Sequence, residues 1–94
     1  MLIPASVRVL GTEAFRGCRR LRRVELAEGS RLEAIGKQCF CESGIEGIAL
    51  PAGLREIGKE AFFRCSNLKT VKVEEGCAAN VRKYLKSSVE VREK

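Results

Sequence analysis

The apolar residues of this chain recur in one order three times. The first series is Val7, Leu10, Gly11, Ala14, Phe15, Cys18, Leu21, Val24 and Leu26. The second is Leu32, Ile35, Gly36, Cys39, Phe40, Ser43, Ile45, Ile48 and Leu50. The third is Leu54, Ile57, Gly58, Ala61, Phe62, Cys65, Leu68, Val71 and Val73. A period of 22 to 25 residues between the phenylalanines is typical of a solenoid, whose coils bury their apolar faces against one another.

This period predicts one domain over residues 1–94, with coils at about 3–26, 27–50 and 51–73 and a C-terminal cap over 74–94. Each coil closes with the pattern apolar-x-x-apolar-x-apolar, as in Leu21–Leu26. The last three positions alternate with the period of a strand, so stacked coils would pair these strands in parallel about 4.8 Å apart. The predicted fold class is therefore a β-rich α/β solenoid of three parallel coils.

The other half of each coil carries a glycine followed, four residues later, by a phenylalanine. The glycine allows a sharp turn or a close backbone approach. The residues between them show neither strand alternation nor a breaker, which predicts one short helical or 3₁₀ turn that points each ring into a ladder of stacked phenylalanines. The second coil has one residue fewer between Phe40 and Ile45 than its neighbours, and we expect Gly44 to absorb the tighter turn.

The two ends of the chain differ. Near the C-terminus, the apolar residues recur with the spacing of a helix, at Ala78, Ala79, Val81, Tyr84 and Leu85. A helix over 81–86 capped by Asn80, followed by a last strand at Val89–Val91, would cover the core as a cap. The N-terminal end has no such cap, so we predict an open edge formed by Ile3, Val7 and Leu10.

These residues resemble the BspA-like class of leucine-rich repeats, whose unit reads approximately Pro-x-x-Val-x-x-Ile-Gly-x-x-Ala-Phe-x-x-Cys-x-x-Leu-x-x-Val-x-Leu. The match covers residues 3–73. The departures are Cys39 in place of alanine, Ser43 with Gly44 in place of cysteine, and Ala27 with Glu28 in place of Leu-Pro. The resemblance implies a non-catalytic binding scaffold, part of a longer solenoid, of the kind used at the surface of bacteria and some protists for adhesion to host proteins or other cells.

The outward positions of the three strands form columns across the coils. The columns are Arg22, Glu46 and Lys69; Arg23, Gly47 and Thr70; and Glu25, Ala49 and Lys72. Leucine-rich repeat proteins usually bind on this concave strand face, so we predict a protein partner there. The predicted contact residues are Arg22, Arg23, Glu25, Glu46, Lys69, Thr70 and Lys72. The alternative is that Arg22, Glu46 and Lys69 form only a charge ladder that helps the coils to stack.

Two other functions stay open. The edge at Ile3, Val7 and Leu10 would serve self-assembly, for instance a homodimer through the uncapped end. The net charge of +6 would support weak binding of a polyanion. Nucleic acid is not favoured as the ligand, because strand alternation splits the arginines of 19–23 between faces and no exposed aromatic residue lies nearby to stack bases.

The five cysteines predict no site of their own. Cys18 and Cys65 lie two coils apart, about 10 Å, which is too far for a disulfide. We predict that they and Cys39 are small buried hydrophobic residues, and that Cys41 and Cys77 are the exposed thiols. Their spacing does not fit a structural zinc site.

Catalysis has little support in the sequence. The chain has no histidine and no aspartate, and its glutamates are scattered over repeat surfaces, so we predict no enzyme, no metal and no cofactor. No apolar run approaches the roughly 18 residues of a membrane span. The resemblance implies a cell-surface or secreted protein, whereas unpaired cysteines and the lack of a signal peptide favour the cytoplasm. Localisation therefore stays open.

Overall fold

A computed structural model describes residues 1–74 and 81–93, in which the chain winds as a β-solenoid with almost no helix. The strands are β1 (Leu2–Ile3), β2 (Val9–Leu10), β3 (Glu25–Leu26), β4 (Ala34–Ile35), β5 (Gly47–Ala49), β6 (Glu56–Ile57), β7 (Thr70–Val73) and β8 (Glu90–Glu93). All of their pairings are parallel, because each strand meets its equivalent in the next coil. The predicted solenoid of parallel coils is confirmed.

The strand face is built from two ladders that follow one another along the solenoid. β1 pairs with β3, and β5, β7 and β8 form a three-stranded sheet in that order. An isolated parallel bridge between Arg23 and Gly47 links the first coil to this sheet. Ile48 pairs with Val71, and both are buried, while their neighbours along the strands face outward. The alternation in the sequence therefore sorts core from surface as strand geometry requires.

A second sheet, formed by β2, β4 and β6, lies in the half of the coil where the sequence predicted no strand. Each of its strands is two residues long and contributes one buried side chain, from Leu10, Ile35 and Ile57. Two residues are too few to display an alternating pattern. Only the stacking of equivalent positions from neighbouring coils could have indicated these strands.

The glycine after each of these strands is explained by close approach of the coils. A Cβ atom on Gly36 would lie 2.5 Å from the backbone nitrogen of Thr12, and one on Gly58 would lie 2.4 Å from that of Lys37. Real Cβ atoms do not come so near to backbone, so glycine is required wherever a preceding coil is present. Gly11 has nothing within 4 Å, because no coil of the described chain lies before it.

The segment that follows the glycine consists of three overlapping β-turns, not of the predicted helical or 3₁₀ turn. In the first coil the N–H groups of Ala14, Arg16 and Cys18 donate to the carbonyls of Gly11, Glu13 and Phe15, each at 3.2 Å. The third residue of the first and of the last turn has a positive φ, +58° at Glu13 and +73° at Gly17, as type II turns require. The equivalent residues Gln38, Glu42, Glu60 and Arg64 have φ between +55° and +60°.

Hydrogen bonds between coils explain why the chain turns in this way. The N–H groups of Glu13, Phe15 and Gly17 donate to three carbonyls of the second coil, at 2.8 to 2.9 Å. The second coil donates in the same manner to the third. Along the segment, every second N–H group closes a turn, and the N–H groups between them donate to the next coil. A helix does not permit this division, because its N–H groups bond to carbonyls of the same helix.

The core is centred on the predicted phenylalanine ladder, which is confirmed. The rings of Phe15 and Phe40 stack with centroids 5.3 Å apart, and those of Phe40 and Phe62 stack at 5.6 Å, with interplanar angles of 10° and 8°. Around them the largest fully buried side chains are Phe40, Leu32, Ile35, Ile45, Val71, Val73 and Cys39. The middle coil is therefore the best-buried part of the molecule.

The cap agrees with the sequence in part. The backbone is helical at Val81 and Arg82 and then continues in turns, with Tyr84 N–H donating to Val81 C=O at 2.9 Å. The last strand predicted at Val89–Val91 is β8, one residue later at its start and two at its end. Asn80 and the other predicted cap residues before Val81 lie outside the described residues. Within 1–74 and 81–93, no helix has the length and apolar character needed to cross a membrane.

Candidate binding surfaces

The strand register determines which predicted contact residues are neighbours. Gly47 pairs with Thr70, and Ala49 pairs with Lys72. The bridge from Arg23 to Gly47 extends the first of these columns into coil one. Arg23, Gly47 and Thr70 are therefore neighbours across the strands, as are Ala49 and Lys72. Backbone hydrogen bonds also link Arg22, Glu46 and Lys69 in sequence.

The cap lengthens this face by one strand that the sequence reasoning did not align with it. Glu90 pairs with Thr70, and Arg92 pairs with Lys72, so both end the columns described above. Arg92 Nε donates to the Glu90 carboxylate, and this hydrogen bond raises the pKa of Arg92. The alternation around Val89 did predict a strand, but its register depends on backbone pairing.

Charge on the strand face is partly paired. The guanidinium of Arg22 lies 4.0 Å from the Glu46 carboxylate, with both side chains largely in solvent. A pair so exposed contributes about 0–1 kcal/mol. Lys69 donates its backbone N–H to Glu46 C=O at 2.9 Å, and no ion pair is described for its ammonium. Half of the charge ladder considered above is thus present among the described residues.

A shallow depression of about 350 Å³ lies at the middle of the face. Gly47 and Ala49 are its small residues, and Arg23 and Lys72 are among the cations that line it. A Cβ atom on Gly47 would approach the carbonyl oxygen of Thr70 to 3.1 Å, a tight contact, so a larger residue here would require Thr70 to shift by a few tenths of an ångström. The dip has room for one side chain of a partner.

No described coil covers the turn half of the first coil on its N-terminal side, and we call this side the open end; the three predicted residues form it only in part. Ile3 and Leu10 are buried, paired with Leu26 and Ile35 respectively, and only Val7 is partly exposed. Other residues contribute more to the end. Phe15, Cys18 and Leu21 are partly exposed, whereas the equivalent Phe40, Ser43 and Ile45 of the second coil are buried.

This end also presents a row of hydrogen-bond acceptors. The carbonyls of Lys37, Cys39 and Cys41 accept from the first coil. The equivalent carbonyls of the first coil are those of Thr12, Ala14 and Arg16, and no described N–H donates to them. Backbone groups in this row need an N–H partner or water.

The cysteines differ from expectation at two positions. Cys39 and Cys65 are buried as predicted, but Cys18 is partly exposed because it lies in the open coil. Cys41, predicted to be an exposed thiol, is 3% exposed. It lies in the middle coil, at the position equivalent to Arg16 in the first coil and Phe63 in the third. Cys77 lies outside the described residues.

Burial also determines the acidity of two thiols. Desolvation raises the pKa of Cys39 to about 11, and it raises the pKa of Cys65, whose Sγ–H donates to Phe40 C=O at 2.8 Å. Such thiols are poor nucleophiles and poor metal ligands at neutral pH. Within residues 1–74 and 81–93, no group of three or more cysteine or glutamate side chains is arranged to hold a metal ion.

Comparison with known proteins gives one match. A family model described as a BspA type leucine rich repeat region matches residues 1–90, with six copies. No curated protein and no solved structure matches the chain. The architecture described above and this match agree.

Proposed function

Because the chain belongs to the BspA-type leucine-rich repeat family, we propose that it is a non-catalytic protein-interaction module that binds its partner on the strand face. The observation that carries the proposal is the alignment of the predicted contact residues in adjacent columns around a floor of small residues. Flat sheets with a central dip and a polar rim suit a protein surface better than a small molecule. An adhesion role at a cell surface is the form that the family resemblance favours.

The charge of the face suggests the chemistry of the partner. Four of the seven predicted contact residues are cations and two are glutamates. The pairing of Arg22 with Glu46 leaves Arg23 beside the depression and Lys72 on its other side. Glu25 and Glu46 also line the depression, so the three cations of its lining exceed its carboxylates by one. An acidic side chain placed between Arg23 and Lys72 would meet opposite charge from both, so we expect the partner to place a glutamate or aspartate there.

Charge reversal on the face tests this proposal. Wild-type protein, Arg23→Glu and Lys72→Glu are immobilised and used to capture proteins from an extracellular-matrix extract, with Lys59→Glu as the control. Lys59 is an exposed cation outside the strand face. A partner retained by wild type and by the control, but lost by both face variants, supports the proposal. Retention by all four proteins, or equal loss with Lys59→Glu, contradicts it.

Self-association through the open end is the second candidate, favoured by the partly exposed core residues and the acceptor row. In a two-fold dimer the carbonyls of Thr12, Ala14 and Arg16 would face the same carbonyls of the other copy. Acceptor would then oppose acceptor, which is unfavourable. Self-association is therefore expected to be head-to-tail, and head-to-tail contacts give open-ended assemblies.

Light scattering across a concentration series, with reductant present, measures this second candidate. Val7→Lys places a charge on the open end, and Val9→Lys makes the same change two residues away on an outward position that is already 60% exposed. A mass that grows with concentration in wild type and Val9→Lys, but not in Val7→Lys, supports assembly through this end. A constant monomer mass in wild type refutes it.

A further inference from the structure

The second coil has one residue fewer between its phenylalanine and its strand than the other two coils, so its corner is shorter than theirs. Gly44 occupies the shortened corner and is buried. Its N–H donates to Cys18 C=O at 3.0 Å, and a Cβ atom there would lie 2.0 Å from the carbonyl oxygen of Arg19. The second coil is thus drawn against the first at this corner, and glycine is required for it, as the sequence predicted.

A notch of about 410 Å³ lies at this corner, between the second turn and the strand face. It is lined by Arg19, Glu42, Ser43, Gly44, Arg64, Ser66, Asn67 and Lys86. Its walls come from the first coil, the third coil and the cap, and its back is the shortened second coil. The notch shares no residue with the depression on the strand face.

The side chains around the notch favour an anion. Arg19, Arg64 and Lys86 supply three cations from three separate parts of the solenoid. Among the described residues that line the notch, the single carboxylate is that of Glu42, whose Oε2 lies 3.9 Å from Arg19 Nη2. Arg19 is therefore loosely balanced, and no ion pair is described for Arg64 or Lys86.

Neutral donors complete the notch. The hydroxyl of Ser66 and the side-chain amide of Asn67 lie in its lining, and both residues are exposed. The guanidinium of Arg64 lies over the ring of Phe63, 5.2 Å from its centroid, which restricts its orientation. Arginine, lysine, hydroxyl and amide groups are the donors that proteins use for phosphate and sulfate oxygens.

We propose that this notch binds a tetrahedral oxyanion, the sulfate or phosphate group of an ester. The inference goes beyond the strand-face function and does not depend on it, since the two surfaces have separate residues. The notch is many times larger than the volume of roughly 30 Å³ that one water molecule occupies in the liquid, so the group would enter with part of its hydration shell. Binding is expected to be weak for the free ion, because the cations remain partly in solvent.

The experiment is an NMR titration of the full chain with sodium sulfate, and separately with inorganic phosphate, at ionic strength held constant with sodium chloride. The amides of Gly44, Ser66 and Asn67 report on the notch. Saturable shifts of these amides with either oxyanion support the site, and the tighter of the two ions indicates the ester class. Shifts that are linear, or that spread over the whole surface, overturn the proposal.

Substitutions that are expected to change the affinity for the anion in opposite directions make the test specific. Arg64→Gln and Lys86→Gln each remove a cation and are expected to weaken binding by about 2- to 5-fold, whereas Glu42→Gln removes the carboxylate and should strengthen it by a similar factor. Arg31→Gln makes the same change in net charge at an exposed residue outside the notch. If Arg31→Gln weakens binding as much as Arg64→Gln, the response reflects net charge only and the site is refuted.

Discussion

Truncation of Phe40 tests whether the stacked ring ladder is the principal source of stability. Phe40 is fully buried and stacks on a ring at each side, at 5.3 and 5.6 Å. Phe15 is the matched position at the open end, where the ring is partly exposed and has one stacking partner. The two substitutions remove the same atoms. The difference between their losses of unfolding free energy therefore measures what a neighbouring coil on the N-terminal side contributes.

The magnitudes follow from burial and stacking. Replacement of a buried phenylalanine by alanine costs about 3–5 kcal/mol, and each aromatic pair accounts for about 0.5–1.5 kcal/mol beyond area. Phe40→Ala loses two pairs and leaves a cavity closed on both sides, so we expect the upper part of this range. Phe15→Ala loses one pair at a site that water already reaches, for which about 2 kcal/mol is expected. A domain of this size has about 5–14 kcal/mol in total, so Phe40→Ala removes a third or more of it.

Urea unfolding followed by far-ultraviolet circular dichroism measures both losses, because the chain has no tryptophan and a single tyrosine. An unchanged m-value would show that the same surface is exposed in each variant. Phe40→Leu, which keeps most of the apolar volume, is the variant to compare if Phe40→Ala does not fold. Equal free-energy losses for Phe15→Ala and Phe40→Ala would refute the argument, since the stacked neighbour would then contribute nothing.

Two further predictions concern the backbone and a thiol. Gly36→Ala places a Cβ 2.5 Å from the Thr12 nitrogen and should lower the free energy of unfolding by about 1–3 kcal/mol, whereas Gly11→Ala, with open space around it, should be close to neutral in the same urea assay. Equal effects would contradict the close approach of the coils. Burial raises the pKa of Cys39 to about 11, so from about pH 9 upward the unfolded chain loses this proton before the folded chain does, and stability falls as the pH rises through that window. Cys39→Ala introduces the residue that is fully buried at the equivalent position in the third coil, Ala61. It should make this decline in stability shallower when urea midpoints are compared at about pH 8 and pH 10.5. An identical decline in the variant would refute the assignment to Cys39.

The sequence predicted the stacking of coils but not the conformation of their turn halves. Every coil places its ring inward, and a helical turn and a series of overlapping β-turns satisfy that requirement equally well. The residues with positive φ include Glu13, Gln38 and Glu60, side chains for which local preference disfavours that region. They adopt it because the amides around them bond to the next coil, and such bonds between distant residues leave no local signal.

The candidate surfaces were predictable to the extent that they repeat. The columns through Thr70 and Lys72 followed from the alignment of equivalent positions, because parallel coils keep that alignment in space. Glu90 and Arg92 were missed since the cap departs from the repeat. The burial of Cys41 was missed for a related reason, because it depends on which side chains the neighbouring coils place beside it.

The shortened corner shows that a change in loop length at the surface of this solenoid is compatible with an intact strand register. The coil loses one residue between Phe40 and Ile45, yet both side chains are fully buried and Ile48 is in register with Val71. The deficit is therefore absorbed before the strand begins. The shortened corner at Gly44 is part of the lining of the notch. Substitutions at its cations should consequently alter anion binding without the losses of stability expected for Phe40.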